Sequence, residues 1–218
     1  MLKAVIFDMD GVLVDSEPMW RVVMIKGFCS VGLNFTEADC RKTTGMRLDE
    51  VIEHWHKLTP WNSKSNKELH DEIIDDLCDM IMDKGVAMSG AIEAIEYFAK
   101  KNFKIGLASS SNNKLIATVI KKLGVEKHFE SINSAEHLAY GKPHPQVFLD
   151  CANDLGIKPE ECLVIEDSVN GVIAAKAAKM KAVAVPDAEH CNDKRFAIAD
   201  VCLTSLLEMN DSILEKLN

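Results

Sequence analysis

Two aspartates spaced two apart, Asp8 and Asp10, close the unbroken apolar run Ala4-Val5-Ile6-Phe7, and Gly11 follows at once. Two like charges so close to a core are costly without a proton or a cation to balance them, so a metal ion is the expected companion. Three further sets could work with them: Ser109-Ser110-Ser111, Lys142 within Gly141-Lys142-Pro143, and Glu166-Asp167-Ser168. Singly, each has an ordinary reading. Serines between a strand and a helix cap the helix, a Lys before Pro sits in a solvated loop, and Glu-Asp after a strand favours the next helix dipole. Asp-x-Asp-Gly could also belong to a calcium loop, but the later Glu such a loop needs is missing and a strand precedes it. Jointly they form a phosphoryl-transfer set. Asp8, Asp10, Glu166 and Asp167 supply hard oxygen ligands suited to Mg²⁺. Ser109 and neighbouring backbone N–H groups suit phosphate oxygens at a helix N-terminus, and Lys142 balances the negative charge. There is no glycine-rich P-loop, which points away from a nucleotide as the phosphate carrier.

These residues need elements to hold them. An apolar run without alternation predicts a strand buried on both faces, and ligands of open α/β sheets sit just beyond the carboxyl ends of such strands. Residues 18–84 then read as helical throughout. Trp20, Val23, Met24 and Phe28 recur at helical spacing, residues 49–56 form a short amphipathic piece ended by Pro60, and Leu69, Ile73, Leu77, Met80 and Ile81 mark a longer helix closing near Gly85. From Ser89 strands and helices alternate. Helices are predicted over residues 91–101, 113–123, 145–155 and 168–180, and strands over 103–108, 129–132, 162–165, 182–185 and 201–203. That alternation implies an α/β, doubly wound parallel sheet with right-handed crossovers. The domain reading is a core of residues 1–16 and 85–218 with an all-helical cap of residues 17–84.

Composition narrows the partners. The chain has 218 residues, 47% of them hydrophobic, and a net charge of −9, which disfavours nucleic acid and anionic membranes. No apolar run approaches the roughly 20 residues that span a bilayer. The seven cysteines are scattered without a C-x-x-C pair, as expected of reduced thiols in a cytoplasmic protein. His54 and His56 fall on opposite sides of a short helix, a poor metal pair.

Asp8-Met9-Asp10-Gly11-Val12, Ser109, Lys142-Pro143 and Glu166-Asp167-Ser168 resemble, in order and spacing, the four motifs of the haloacid dehalogenase superfamily. The resemblance covers essentially the whole chain and is nearest to the branch of β-phosphoglucomutase and small sugar-phosphate phosphatases. Asp15-Ser16-Glu17-Pro18, Gly141-Lys142-Pro143-His144-Pro145, Glu166-Asp167-Ser168-Val169-Asn170-Gly171 and Pro60-Trp61-Asn62 look like the 2-deoxyglucose-6-phosphatase (hexitol phosphatase) group. The resemblance implies a Rossmann-like core with a helical cap inserted after the first motif. It implies Asp8 as the nucleophile that forms an aspartyl-phosphate and Asp10 as the acid and base. It implies Mg²⁺ held by Asp8, the Asp10 carbonyl and Asp167, with Glu166 a direct or supporting ligand. Ser109 and Lys142 would bind the phosphoryl oxygens, with Ser110 and Asn113 adding contacts.

The cap would choose the substrate. Glu17 would accept hydrogen bonds from sugar hydroxyls, and Thr43-Thr44-Gly45-Met46-Arg47 resembles the cap's specificity loop, with Arg47 meeting sugar or a distal phosphate, or else a surface salt bridge. The mutase members carry His where Trp20 stands, and Leu48 takes the place of their cap arginine. Both departures favour water as the acceptor. The expected activity is a monomeric Mg²⁺-dependent phosphatase of sugar or sugar-alcohol phosphates, such as 2-deoxyglucose 6-phosphate. A sugar phosphomutase is the near alternative. A phospho-accepting signalling or binding domain is a distant one, because the helical insert has no role there.

Overall fold

The computed structural model describes residues 1–218 apart from Thr44 and Glu189. In chain order the elements are β1 (Ala4–Phe7), α1 (Glu17–Ser30), α2 (Glu37–Lys42), α3 (Leu48–Leu58), α4 (Asn66–Lys84), α5 (Ala91–Lys100), β2 (Lys104–Ser109), α6 (Asn113–Leu123), β3 (Ser131–Ser134), α7 (Gln146–Leu155), β4 (Cys162–Glu166), α8 (Val169–Ala177), β5 (Lys181–Ala184), β6 (Val201–Cys202) and α9 (Asp211–Leu217). The strands form one parallel sheet in the order β3-β2-β1-β4-β5-β6, with β1 flanked by β2 and β4. This is a doubly wound α/β sheet whose strand order reverses beside β1, and the crevice outside the carboxyl ends at that reversal is where such sheets bind ligands.

The alternation along β1 divides the core between two layers. Val5 and Phe7 face one buried cluster with Leu107, Leu163, Ile165 and Phe98; Ala4 and Ile6 face a second with Ala108, Phe148, Val164 and Ala182. All four residues of β1 are fully buried, which is why its sequence lacks a polar face. On the second face small residues let α7 lie close to the sheet: a Cβ on Gly106 of β2 would overlap the Cys151 sulfur.

Four helices, α1 to α4, are inserted between β1 and α5. α1 packs along α4, and Phe28 stacks on Phe35 at 4.3 Å with Trp61 edge-on at 5.9 Å. α4 also lies against α6 beside the sheet, and the Lys114–Asp75 ion pair joins the two at 2.5 Å. Among the described residues no helix is long and apolar enough to cross a membrane.

Several boundaries differ from the sequence expectation. The helix begun by Ser168 ends at Ala177, short of residue 180, because Lys179 adopts a φ of 63° and the Met180 N–H turns back to the Ala175 carbonyl at 3.0 Å. The pattern also missed α9, too short for a repeat to show, and gave no separate bounds to α2 within the helical stretch of residues 18–84. Their caps hold them: the Asp39 carboxylate accepts from the Thr36 N–H at 3.1 Å, and the Asn210 side chain accepts from the Ile213 N–H at 3.1 Å.

Because Gly106 admits the Cys151 sulfur, Gly106→Ala is expected to overpack this layer and lower stability by about 1–3 kcal/mol in urea unfolding. Cys151→Ala in the same chain should recover part of the loss; an unchanged midpoint in Gly106→Ala would contradict the close contact.

Candidate active site

Asp8 is the first residue beyond β1, and its N–H donates to the Ile165 carbonyl at 2.9 Å, which continues the pairing with β4 for one more step. Glu166 is the last residue of β4, and Asp167 follows it. Parallel neighbours of equal register therefore bring three carboxylates to one place: oxygen atoms of Asp8, Glu166 and Asp167 all lie within 4.8 Å of one another. Among the described residues this is the group of three or more His, Cys, Asp and Glu side chains able to hold a metal; His54 and His56 are not in it.

Lys142 answers part of that charge. It arrives on the segment between β3 and α7 and is buried. Its ammonium donates to Asp8 Oδ1 at 2.6 Å, Glu166 Oε1 at 2.7 Å and the Ala108 carbonyl at 3.1 Å, so all three N–H bonds are used. Its Nζ also lies 4.6 Å from the Phe148 ring centroid. The second oxygen of Glu166 accepts from the N–H and the hydroxyl of Ser168, both at 2.9 Å. Close approach is possible only because Gly171 has no side chain; a Cβ there would overlap the Glu166 carboxylate.

One ammonium cannot neutralise three carboxylates. Burial pushes the Asp8 carboxyl up to about 8, against the lowering pull of Lys142 and with the raising push of Glu166 and Asp10. Burial and the same neighbours hold Asp167 well above the ordinary carboxylate range. For Lys142, burial opposes the charge, but Asp8 and Glu166 outweigh it and keep the ammonium above its usual range. The surplus negative charge, on oxygen donors alone, fits a hard divalent cation.

Asp10 stands beside this cluster with its own set of donors. Its Oδ1 accepts from the Ser16 hydroxyl at 2.6 Å and the Trp20 indole N–H at 3.0 Å, and its Oδ2 accepts from the Ser111 hydroxyl at 2.7 Å. None of these three partners was singled out from sequence as a partner of Asp10. Ser16 and Ser111 stand within motifs that drew notice, but only the tertiary contact reveals whom they serve. Gly11, at a φ of 75°, makes the turn between them, and a Cβ there would strike the Asp167 carboxylate.

The other expected residues divide. Ser109 is buried at the end of β2, where its hydroxyl accepts the Ser111 N–H at 3.0 Å, and Ser110 faces the cavity. Asn113, the first residue of α6, is not among the residues that line the cavity, contrary to the sequence reading; its amide is taken by Glu136 Oε2 at 2.8 Å. Asn112 lines the cavity instead and caps α6 by accepting from the Leu115 N–H at 2.9 Å. Glu17 reaches the cavity from the first turn of α1. Burial raises its carboxyl, partly offset by Arg21, whose Nε lies 3.8 Å away. Arg47 lines the cavity too, but one of its terminal nitrogens is engaged by core carbonyls. Thr44 of the expected specificity loop lies outside the described residues.

The cavity occupies about 780 Å³ between the sheet's carboxyl edge and the inserted helices, with Glu17, Trp20, Arg21, Asp187 and His190 on its walls. That is room for a small phosphorylated molecule, with charged and polar groups set among apolar ones such as Met24, Ile52 and Met88.

Comparison with known proteins agrees with this geometry. The haloacid dehalogenase-like hydrolase family matches residues 2–179. Hexitol phosphatase B of Escherichia coli K12 is 40% identical over 209 residues, covering 95% of this chain and 94% of that protein. Among solved structures, β-phosphoglucomutase from Clostridium difficile superposes with a TM-score of 0.85 at 26% identity, covering 100% of this chain and 98% of that one. CbbY from Rhodobacter sphaeroides in complex with phosphate superposes with a TM-score of 0.89 at 21% identity, over 100% and 99% of the two chains, a likeness of fold. The chain belongs to the haloacid dehalogenase-like hydrolases.

A raised carboxyl means the folded, metal-free protein binds a proton that the unfolded chain releases. The stabilisation is complete below the ordinary value of 3.8 and is lost as pH rises toward about 8. In chelator-treated protein the thermal midpoint is therefore expected to fall across that window, and Asp8→Asn, which cannot ionise there, to flatten the slope. A midpoint that rises with pH in the chelated protein would contradict the surplus charge.

Proposed function

We propose that this protein is a Mg²⁺-dependent phosphatase of small sugar or sugar-alcohol phosphates, hexose 6-phosphates such as 2-deoxyglucose 6-phosphate among them. The observation that carries the reading is the Asp8–Lys142–Glu166–Asp167 cluster opening, beside Asp10, onto a cavity of about 780 Å³. The substrate class rests on the 40% identity to a protein named hexitol phosphatase B.

In this reading an Asp8 oxygen attacks phosphorus, and the bond from phosphorus to the sugar oxygen breaks. Asp10 gives its proton to the departing oxygen, then takes one from the water that attacks the aspartyl-phosphate, and Asp8 is returned. Asp8, Asp167 and the Asp10 carbonyl would hold Mg²⁺, which when bound shields the phosphate charge from the attacking carboxylate. Glu166 has both oxygens engaged, by Lys142 and by Ser168, which suits a residue that steadies the site. Ser109 and Ser110 would face the phosphoryl oxygens, with Lys142 supplying positive charge beside them and turning an N–H from Asp8 or Glu166 to bind one. Residues 17–84 would act as a cap over a core of residues 1–16 and 85–218, with Glu17 meeting the substrate's hydroxyls.

The full-length likeness to a β-phosphoglucomutase structure supports a second reading, intramolecular phosphoryl transfer. Trp20 argues for water instead, because its N–H is committed to Asp10, and an indole has no basic nitrogen to activate a sugar hydroxyl.

Phosphate release from 2-deoxyglucose 6-phosphate, mannose 6-phosphate and sorbitol 6-phosphate is expected to require Mg²⁺ and to vanish in Asp8→Asn. Conversion of β-glucose 1-phosphate to glucose 6-phosphate with little free phosphate would establish the mutase. Trp20→Phe keeps the ring and removes one charge-assisted hydrogen bond, so kcat on sorbitol 6-phosphate should fall by about tenfold. The loss should be smaller on p-nitrophenyl phosphate, whose leaving group needs no proton. Equal losses on both would separate Trp20 from proton delivery.

A further inference from the structure

Arg47 has the chemistry of an anion ligand and lines the cavity, yet its hydrogen bonds run elsewhere. Nη1 donates to the backbone carbonyls of Ala135 at 2.9 Å and Leu138 at 2.7 Å. Nη2 pairs with Asp49 at 3.1 Å and Nε lies 3.5 Å from Glu50 Oε1, both on α3. Only 10% of the side chain is exposed. The two carbonyls anchor the guanidinium, whose buried Nε makes no hydrogen bond of its own, while Asp49 and Glu50 are exposed enough for water to replace it.

The two carbonyls belong to a segment with its own task. The Ala135 N–H donates to the Ser109 carbonyl at 2.9 Å, which ties the start of this segment to the end of β2. Lys142 lies at its other end. Between them Gly141 packs under the arginine: a Cβ there would come within 3.0 Å of Arg47 Cγ and Cδ, tighter than side chains normally tolerate. A side chain at Gly141 would have to push the arginine aside by a few tenths of an ångström, and Gly141 directly precedes the lysine that grips Asp8 and Glu166. Arg47 itself stands immediately before α3 in the inserted helices. It links the two halves of the molecule at the segment that delivers Lys142.

We propose that Arg47 is a positioning residue that latches the inserted helices onto residues 135–142 and so holds Lys142 in place, and that it does not read the substrate. The proposal rests on the phosphatase reading only for its kinetic readout. It sets Arg47 apart from Glu17, whose ion pair among the described residues is with Arg21 of its own helix.

The test compares Arg47→Ala with the unaltered protein on sorbitol 6-phosphate and on p-nitrophenyl phosphate, which has no hydroxyls to read. A latch acts on every substrate alike: kcat/KM should fall by about tenfold to a hundredfold on both, the loss expected of slight misplacement at a reacting centre. Their ratio should stay within a factor of about three. Backbone amides of residues 135–142 should exchange faster with solvent while those of β1 and β4 keep their protection. Gly141→Ala should reproduce both effects, and the double variant Gly141→Ala/Arg47→Ala should be no worse than Arg47→Ala alone, because both changes break one contact. A loss confined to sorbitol 6-phosphate would make Arg47 a substrate ligand and overturn the proposal. So would unaltered exchange over residues 135–142, or faster exchange spread evenly over the chain. If the unaltered protein released no phosphate from either compound, the phosphatase reading would fail, and the exchange measurement would still decide on the latch.

Discussion

A buried ammonium held between two carboxylates governs this structure. Lys142 fixes the distance between Asp8, at the end of β1, and Glu166, at the end of β4, and it does so in a place where none of the three could stand charged alone. The balance is left deliberately incomplete, with Asp167 beside them and more negative charge than one lysine can offset. A site of this kind stabilises the fold only weakly without a cation, and it is correspondingly well prepared to bind one and then an anionic phosphoester next to it.

Much of the remaining architecture can be understood as support for that arrangement. The strand order places β1 between β2 and β4, so three neighbouring carboxyl ends contribute Asp8, Ser109 and Glu166 to one edge. Glycines clear space where the groups crowd: Gly11 against Asp167, Gly171 against Glu166, Gly141 against Arg47. The inserted helices complete the enclosure, sending Trp20 to Asp10, Glu17 to the cavity and Arg47 to the segment that carries Lys142. The two aspartates are thus treated differently. Asp8 is buried against a lysine, whereas Asp10 receives three neutral donors, from Ser16, Trp20 and Ser111. Two carboxylates in unlike surroundings are what a division between attack and proton transfer requires.

The fold was legible in the sequence to the extent that it depends on local pattern. The unbroken apolar run of β1, the helical spacing of the insertion and the strand–helix alternation after Ser89 led to a doubly wound parallel sheet, and the sheet has that form. The places where pattern failed are short or turn on one residue. α9 spans too few turns to show a repeat, and α8 stops early because Lys179 adopts a left-handed conformation that nothing in its type demands.

The sequence by itself determined which residues reach the sheet's carboxyl edge, because a motif that ends a buried strand must emerge there. That placed Asp8, Ser109 and the Glu166-Asp167 pair without knowledge of any contact. Only the tertiary structure decided how the side chains pair. Ser111 serves Asp10 from 101 positions away, Arg47 is engaged by a carbonyl 88 positions on, and Asn113 donates to Glu136. Periodicity and capping act within a few residues, so they fix where an element starts and which face it buries. The aim of a polar side chain depends on which partners packing brings within about 3 Å, and that is settled only when the elements have docked.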